Sequence, residues 1–234
     1  MLKLSKRLET IASFVPAGSR IADVGTDHGY IPISLVERGT ALSALAMDVR
    51  QGPLLRARAH VQERGLGDKI SLRLGDGLSS LESGEADTVI IAGMGGELII
   101  HIMEEGRRLW PEIGRWILSP HSEIFKVRRF LREAGFSIAR EAMVKDEGKF
   151  YTVMEALPAP PGDGEEPRAI DDLYGGYLIR RKDPVLKEYL KLEREKSEAL
   201  LASLAGAGSG RGRERARELR CEIDRIMEAE YEMQ

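Results

Sequence analysis

The fold is indicated by one stretch of the chain, IADVGTDHGY at residues 21–30. Its first half is an apolar run around Asp23, which predicts a buried strand, and its second half is a glycine-containing turn. The turn leads directly into the apolar segment 31–36, which predicts a helix. Open parallel α/β sheets bind nucleotide-like cofactors at such a strand-to-helix turn. The stretch therefore predicts an α/β fold with a cofactor site at residues 23–30.

The same alternation of strand and helix patterns continues along the chain. A helical pattern at 4–15 precedes the stretch, and the patterns that follow it predict strands at 42–47, 70–74, 88–92 and 116–118 and helices at 51–64, 95–105 and 121–133. Two last strands, 136–144 and 149–155, flank a turn at 146–148. We expect a Rossmann-like sheet with helices on both faces and an antiparallel hairpin at one edge.

The C-terminal part has a different pattern. Breakers and charges at 158–167 predict a linker, and Asp183-Pro184 is a strong start signal for a helix that runs to about Leu204. A glycine-rich segment, 205–213, predicts a loop before a second amphipathic helix. We therefore expect an α/β domain at 1–160, followed at 161–234 by the linker and a coiled-coil-like helical hairpin.

Composition restricts the possible functions. The net charge is −3, which argues against a uniformly basic nucleic-acid-binding surface, so any RNA contact must use local patches. With Cys221 as its single cysteine the chain cannot form an intramolecular disulfide, and no Cys/His spacing resembles a zinc site. No apolar run approaches the roughly 20 residues of a membrane span. We expect a soluble cytoplasmic protein that requires no metal, binds no membrane and has no obligate protein partner.

The turn at 25–29 favours one cofactor class. It lacks the G-x-G-x-x-G spacing of dinucleotide binders and fits instead the alternating glycines of methyltransferases, with Asp27 in place of the middle glycine. A carboxylate there repels a pyrophosphate but attracts the sulfonium and ammonium of S-adenosylmethionine. The pattern favours this methyl donor, although a purely structural glycine turn is the alternative.

Acidic residues also follow the next two strands. Asp48 lies where a carboxylate accepts hydrogen bonds from ribose hydroxyls, and Asp76 lies where one accepts a hydrogen bond from the adenine amine. Either alone is also compatible with a solvated turn aspartate, but three acidic turns after three successive strands favour a cofactor. The predicted cofactor-binding residues are Asp23, Gly25, Thr26, Asp27, Gly29, Asp48, Val49, Asp76, Gly77 and Gly93.

The fourth strand is followed by Gly93-Met94-Gly95-Gly96, where methyltransferases of exocyclic amines carry an (Asp/Asn/Ser)-Pro-Pro-aromatic element. The glycines permit close approach of a flat base, with Met94 as an apolar surface for it. The alternative is a tight turn whose methionine belongs to the core.

Four stretches together closely resemble the bacterial TrmK family of tRNA (adenine-22) N1-methyltransferases. They are residues 3–8, 23–30, 75–78 and 84–96. The resemblance extends over most of the first 155 residues and to the presence of a helical C-terminal domain. It implies that the sheet is of the class I methyltransferase type and that 1–160 is an S-adenosylmethionine-binding methyltransferase domain. At Ser119-Pro120-His121 the sequence departs from the family pattern.

The resemblance implies that adenine N1 attacks the methyl group in line with the departing sulfur, so that catalysis is mainly alignment. The target base must first leave its stack in the D-arm. As catalytic residues we predict Asp27, to stabilise the cationic product, His28, to bond the base edge, and Met94, to orient the base. A helix-start histidine bonded to the backbone is the alternative for His28. We expect His60 and His101 to be ordinary helix residues.

The tRNA contacts are predicted at Gly95, Gly96, Pro120, His121, Lys126 and Arg129. Further candidate phosphate contacts are Arg128, Arg132, Lys3, Lys6 and Arg7, although basic residues on helices usually form a solvated face. Two other functions stay open from the residues alone: a small-molecule methyltransferase, and a non-enzymatic RNA-binding protein that retains a vestigial cofactor fold.

Overall fold

The computed structural model describes residues 2–159, 168–204 and 210–234. The chain divides into two compact units, Met1–Asp163 and Gly164–Gln234. Most of the predicted linker, 160–167, and the first part of the predicted glycine-rich loop, 205–209, lie outside the described residues.

The first unit contains one seven-stranded sheet with the order β3-β2-β1-β4-β5-β7-β6. Its strands are β1 (Ser19–Val24), β2 (Ala41–Asp48), β3 (Ile70–Leu74), β4 (Thr88–Met94), β5 (Arg115–Pro120), β6 (Phe136–Asp146) and β7 (Lys149–Pro158). The strands β1 to β5 are parallel, and β7 is antiparallel to both β5 and β6. The chain moves outward from β1 to β3 and then returns to β4 on the other side of β1. Ligands of open α/β sheets bind at such a switch point.

Five helices accompany the sheet: α1 (Lys6–Ser13), α2 (Tyr30–Glu37), α3 (Gln51–Glu63), α4 (Gly96–Glu105) and α5 (Ile124–Glu133). They belong to two hydrophobic clusters. One contains Ile99 of α4 and Leu131 of α5, and the other contains Ile11 of α1, Ile33 of α2 and Val61 of α3. The predicted Rossmann-like methyltransferase architecture is confirmed.

The central strands are buried on both faces, which explains their continuous apolar runs. Ile90 and Ile91 of β4 are both fully buried, yet they belong to different clusters because successive side chains point to opposite faces. A strand in this environment has no polar face, and its sequence is therefore an uninterrupted apolar segment.

The region after β5 differs from the prediction of a helix at 121–133. Helix α5 begins only at Ile124, after Glu123 in a left-handed conformation with φ of 46°. The preceding backbone is bonded to the end of β4 instead: His121 N–H donates to the Met94 carbonyl (2.8 Å), and the Ser122 carbonyl accepts from Gly96 N–H (3.0 Å). His121 therefore lies in a turn beside β4, not on the helix.

The second unit is helical, with α6 (Gly176–Arg180), α7 (Pro184–Ser203) and α8 (Gly210–Glu232), and α7 packs against α8. Asp183 caps α7 as its sequence predicts, accepting hydrogen bonds from the N–H groups of Val185 and Leu186 (2.9 Å each). The prediction of a loop through 213 is wrong, since residues 210–213 already belong to α8, where arginine is a good helix former. Residues 174–177 cover the end of a π-helical turn (Asp171–Gly175) and the start of α6.

None of the helices in the described parts of the chain is both long enough and apolar enough to cross a membrane.

Candidate cofactor and substrate site

Two adjoining pockets open at the carboxyl ends of β1, β2 and β4. The carboxylate pocket, with a volume of about 420 Å³, is lined by Val24, Gly25, Asp27, Asp48, Val49, Arg50, Gly75, Asp76, Gly77, Ala92, Gly93, Met94, Leu98 and Ile102. The ring pocket, of about 330 Å³, is lined by Arg7, Leu8, Asp23, Gly25, Thr26, Asp27, His28, Tyr30, Ile31, Ala92, Gly93 and His121. The linings share residues of the β1–α2 turn and of the end of β4, so the two pockets meet at the switch point.

The β1–α2 turn alternates left-handed residues, with φ of 76° at Gly25, 48° at Asp27 and 72° at Gly29. The N–H groups of Gly25 and Thr26 both donate to the Met47 carbonyl (2.8 and 2.9 Å), which fixes the turn against β2. A Cβ on Gly25 would lie 2.1 Å from Met94 Cε. Glycine is therefore required at 25 both by the backbone and by the approach of Met94.

Asp23 lies near the end of β1 and is buried, with 4% of its surface exposed. Thr26 Oγ1 donates a hydrogen bond to its Oδ2 (2.6 Å). Burial raises the pKa of Asp23 to about 6; the Thr26 hydrogen bond opposes this rise, and the negative charge of Asp48 adds to it. At neutral pH the side chain is a carboxylate in an unfavourable environment, which a cationic ligand group would stabilise.

Asp48 and Asp76 both line the carboxylate pocket. Asp48 is 6% exposed, and its Oδ1 accepts a hydrogen bond from Arg50 N–H (2.9 Å). Asp76 is exposed, and its turn is connected to that of Asp48 because Gly75 N–H donates to the Asp48 carbonyl (3.1 Å). The acidic turns after β2 and β3 therefore come together as the sequence predicts.

Two apolar side chains border the same pocket and are unusually exposed, Val49 at 60% and Leu98 at 48%. Val49 was predicted to bind cofactor. Leu98 was not, because a leucine in the first turn of an apolar helix looks like any core residue. Together they offer apolar surface to a flat heterocycle beside the two carboxylates.

Three aromatic rings form a cluster at the wall of the ring pocket. The rings of His28, Tyr30 and His60 are nearly parallel, with centroids between 5.1 and 5.8 Å apart. His60 Nδ1 donates to the His28 carbonyl (2.9 Å), which leaves Nε2 of His60 as the acceptor nitrogen. The interpretation of His60 as an ordinary helix residue misses this contact, which joins positions 32 residues apart.

Asp27 lies at the junction of the two pockets. Its carboxylate accepts a hydrogen bond from Arg56 Nη2 on α3 (2.6 Å) and lies 3.5 Å from His28 Nε2. Arg56 therefore offsets part of the negative charge that Asp27 presents to both pockets. The sequence contains no signal for this pair.

A second polar cluster also borders the ring pocket. Arg7 Nη1 donates to His121 Nε2 (3.0 Å), and the Arg7 guanidinium carbon is 5.3 Å from the centre of the Tyr151 ring. The ring centroids of His121 and Tyr151 are 5.3 Å apart. Burial, together with the positive charges of Arg7 and Lys149, lowers the pKa of His121. His121 is thus a neutral imidazole at neutral pH, and Arg7 lines a pocket.

The predicted tRNA-binding residues are not brought together. His121 lines the ring pocket, whereas Gly95, Gly96 and Pro120 are outside both linings. A Cβ on Gly96 would meet the Ser122 carbonyl at 2.7 Å, so this glycine is needed for the contact with the turn after β5. Lys126 is half-buried on α5 and forms an ion pair with Glu97, and Arg129 is exposed on the same helix.

The predicted cofactor residues are largely assembled. The carboxylate pocket contains Gly25, Asp27, Asp48, Val49, Asp76, Gly77 and Gly93, and the ring pocket adds Asp23 and Thr26. Gly29 lies outside both; its left-handed backbone and close approach to Ala57 (3.2 Å from a built Cβ) give it a structural role. Met94 lines the carboxylate pocket and also packs against the core, so both interpretations of it apply.

The sequence and the fold of this chain match those of known methyltransferases. A family described as a methyltransferase domain matches residues 4–154. The tRNA (adenine(22)-N(1))-methyltransferase of Bacillus subtilis is 36% identical over 213 residues, which cover 88% of this chain and 87% of the relative. A putative tRNA (m1A22) methyltransferase of Streptococcus pneumoniae, solved with S-adenosyl-L-methionine, is 36% identical with a TM-score of 0.86, over 97% of this chain and 99% of that one.

The B. subtilis m1A22 tRNA methyltransferase TrmK has also been solved. Its structure is 33% identical with a TM-score of 0.86, and the match covers 98% of this chain and 99% of that one. The chain therefore belongs to the TrmK family of tRNA (adenine(22)-N(1))-methyltransferases, within the larger methyltransferase domain family.

Proposed function

We propose that this protein transfers a methyl group from S-adenosylmethionine to N1 of adenine 22 in tRNA. The observation that carries the proposal is the pair of adjoining pockets at the switch point, one acidic and one lined by aromatic rings. The family relationship supplies the substrate, since the relatives are named for methylation of adenine 22.

The carboxylate pocket fits an adenosine group. A carboxylate has about four lone-pair positions, so Asp48 can accept from ribose hydroxyls while it retains its bond from Arg50 N–H. Asp76 would accept from the adenine amine, and Val49 and Leu98 would contact the faces of the ring. Asp23 and Asp27 would face the cationic part of the donor. These carboxylates fit a donor without phosphate groups.

The ring pocket is proposed to receive the target base. When bound, S-adenosylmethionine supplies a methyl group on a positively charged sulfur, and adenine N1 attacks with its own lone pair, so no strong general base is needed. The rings of His28 and Tyr30 provide a stacking surface for a base that has left its stack in the tRNA. Catalysis is then mainly alignment, worth several kcal/mol in favourable cases.

The protein also controls charge during transfer. Positive charge passes from the sulfur to the methylated base, and Asp27 lies at the junction where it can stabilise either cation. Because His121 is neutral, it adds no repulsion to the cationic product. Proton donation from its second ring nitrogen to the base edge is compatible with the bond from Arg7 to Nε2.

Outside the pockets, Lys126 and Arg129 are proposed phosphate contacts, and Gly95, Gly96 and Pro120 are proposed to shape the substrate side of the site. Lys126 would have to exchange its Glu97 partner for a phosphate. Exchanging both cations for glutamate should weaken tRNA binding and reduce its salt dependence without changing cofactor affinity. Because the substrate is tRNA, we propose a cytoplasmic site of action.

The test uses labelled S-adenosylmethionine, a tRNA with adenine at position 22 and the matched tRNA with guanine there. Digestion and mass spectrometry should detect 1-methyladenosine in the first tRNA and none in the second. Methylation of both tRNAs would contradict the assigned position. Methylation of neither, with methyl transfer to a small molecule, would favour the small-molecule alternative, and absence of any transfer would favour the vestigial one.

A further inference from the structure

The guanidinium of Arg7 differs from those of the other arginines that border the site. Arg56 forms an ion pair with Asp27 and Arg50 lies within 3.9 Å of Asp48. Among the described residues, no carboxylate lies within ion-pair distance of the Arg7 guanidinium. Its contacts are the neutral imidazole of His121 and the ring of Tyr151, while the nearby Asp146 accepts from the Arg7 backbone N–H (3.0 Å).

An arginine in this state is suited to bind an anion. Guanidinium has five N–H donors, and a single one is used by His121. Its fork matches a carboxylate or a phosphate, with which it forms two parallel charge-assisted hydrogen bonds. The His121 and Tyr151 rings support the guanidinium and hold it at the pocket wall.

The same pocket contains the opposite charge. Asp23 also lines it and is 4% exposed; its carboxylate accepts from Thr26, and among the described residues no cation lies within ion-pair distance of it. A pocket with an uncompensated carboxylate and an unpaired guanidinium is complementary to a zwitterion with an ammonium and a carboxylate. A phosphate of RNA is complementary to the guanidinium of Arg7 only, and the carboxylate of Asp23 repels it.

The position of Arg7 fits a ligand that extends from the carboxylate pocket. Arg7 Nη1 lies 3.7 Å from the place of a Cβ on Gly93, and Gly93 lines both pockets. A ligand whose adenosine group lies beside Asp48 can therefore reach Arg7 through the junction.

We propose that Arg7 binds the α-carboxylate of the methyl donor, opposite Asp23, which binds its α-ammonium. Arg7 is thereby a cofactor-binding residue rather than a tRNA phosphate contact. This inference rests on the proposed function, because it needs S-adenosylmethionine as the donor.

The experiment compares two ligands that differ in the carboxylate alone: S-adenosylhomocysteine and its decarboxylated analogue, S-adenosyl-3-thiopropylamine. Calorimetry measures both affinities in the wild type and in Arg7→Gln, Arg7→Lys and Lys6→Gln. Lys6→Gln is the matched control, since Lys6 is the exposed neighbour on α1, does not line the pocket and carries the same charge.

Arg7→Gln should lower the affinity for S-adenosylhomocysteine about 10- to 100-fold, because one charge-assisted interaction with one ligand group is lost. The affinity for the analogue, which lacks that group, should not change. Arg7→Lys should lose less, and Lys6→Gln should change neither affinity. Unchanged binding of the analogue also shows that the variant is folded.

Equal weakening of both ligands by Arg7→Gln would overturn the inference. So would a loss of tRNA affinity with both ligand affinities intact, which would assign Arg7 to an RNA phosphate. If the wild type binds neither ligand and methylates no tRNA, the proposed function itself fails. If the wild type binds the ligands and methylates tRNA, but Arg7→Gln affects both ligands equally, the inference alone fails.

Discussion

The two pockets share a boundary but are assembled in different ways. The acidic side chains of the carboxylate pocket lie at the end of a strand or within three residues after it, where the parallel sheet brings the strand ends together. The ring pocket combines side chains from separate parts of the chain, and Arg7 and His121, which are hydrogen-bonded there, are 114 residues apart. The carboxylate pocket is thus encoded in short turns, whereas the ring pocket depends on how distant elements pack.

The largest expected effect is on cofactor affinity, from a substitution that changes the carboxylate pocket alone. Asp48→Ala removes the proposed acceptor of the ribose hydroxyls, and we expect S-adenosylhomocysteine affinity to fall about 100-fold or more, since two hydrogen bonds to a charged group are lost. Calorimetry measures this loss. Asp68→Ala, which removes the same charge from an exposed turn, should bind as the wild type does. Equal affinity of both variants would remove Asp48 from the ribose role.

Asp23 should make stability depend on pH. Its pKa rises from 3.8 to about 6 on folding, so between these values the folded chain holds the proton more tightly than the unfolded chain. The contribution of this group to stability therefore decreases by up to about 3 kcal/mol as the pH rises from about 4 to 6. Above pH 6 it stays constant.

The measurement is urea denaturation of wild type and Asp23→Asn, without cofactor, at several pH values. Asparagine stays neutral and still accepts from Thr26, so the variant should gain stability relative to wild type as pH rises through this window. The same variant should bind S-adenosylhomocysteine less well at pH 7. A constant difference in free energy of unfolding across the window would contradict the raised pKa.

The boundary between the pockets is tested by glycine substitutions. Gly18 and Gly25 have φ of 84° and 76°, but a Cβ on Gly18 meets nothing within 4 Å, whereas one on Gly25 meets Met94. Gly18→Ala should cost about 1–2 kcal/mol from backbone conformation alone, and Gly25→Ala should cost more because Met94 must move.

Denaturation midpoints measure both costs. Met94→Ala should remove the steric part of the stability cost of Gly25→Ala, measured against the Met94→Ala single variant. If Gly25→Ala and Gly18→Ala are equally stable, Met94 accommodates the methyl group without cost.

The smallest expected effect is in the ring pocket. His60→Ala removes the hydrogen bond to the His28 carbonyl and one ring of the cluster, and should lower kcat/KM for tRNA about 3- to 10-fold with little change in cofactor affinity. His101→Ala is the control, because His101 is exposed on α4, away from both pockets. Equal kcat/KM values for the two variants would show that the ring cluster is not needed for substrate alignment.

The sequence predicts the sheet and the acidic turns because both follow from local pattern: apolar runs form buried strands, and strand ends meet at one edge. It does not predict Arg56, His60 or Tyr151, whose roles depend on contacts between α3, β7 and the turns. His121 was placed on a helix because the charged segment after Pro120 has helical composition. The left-handed Glu123 and the hydrogen bonds to β4, which delay the helix, have no clear signal in the sequence.

Asp27 has a left-handed backbone at a position where the methyltransferase pattern has glycine. A side chain with φ of 48° costs roughly 1–2 kcal/mol relative to glycine, although aspartate tolerates this region better than most residues. The turn thus keeps the backbone course that glycine would give it and adds a carboxylate between the two pockets. Glycine at 27 would relieve this conformational cost, but it would also remove the carboxylate and its ion pair with Arg56.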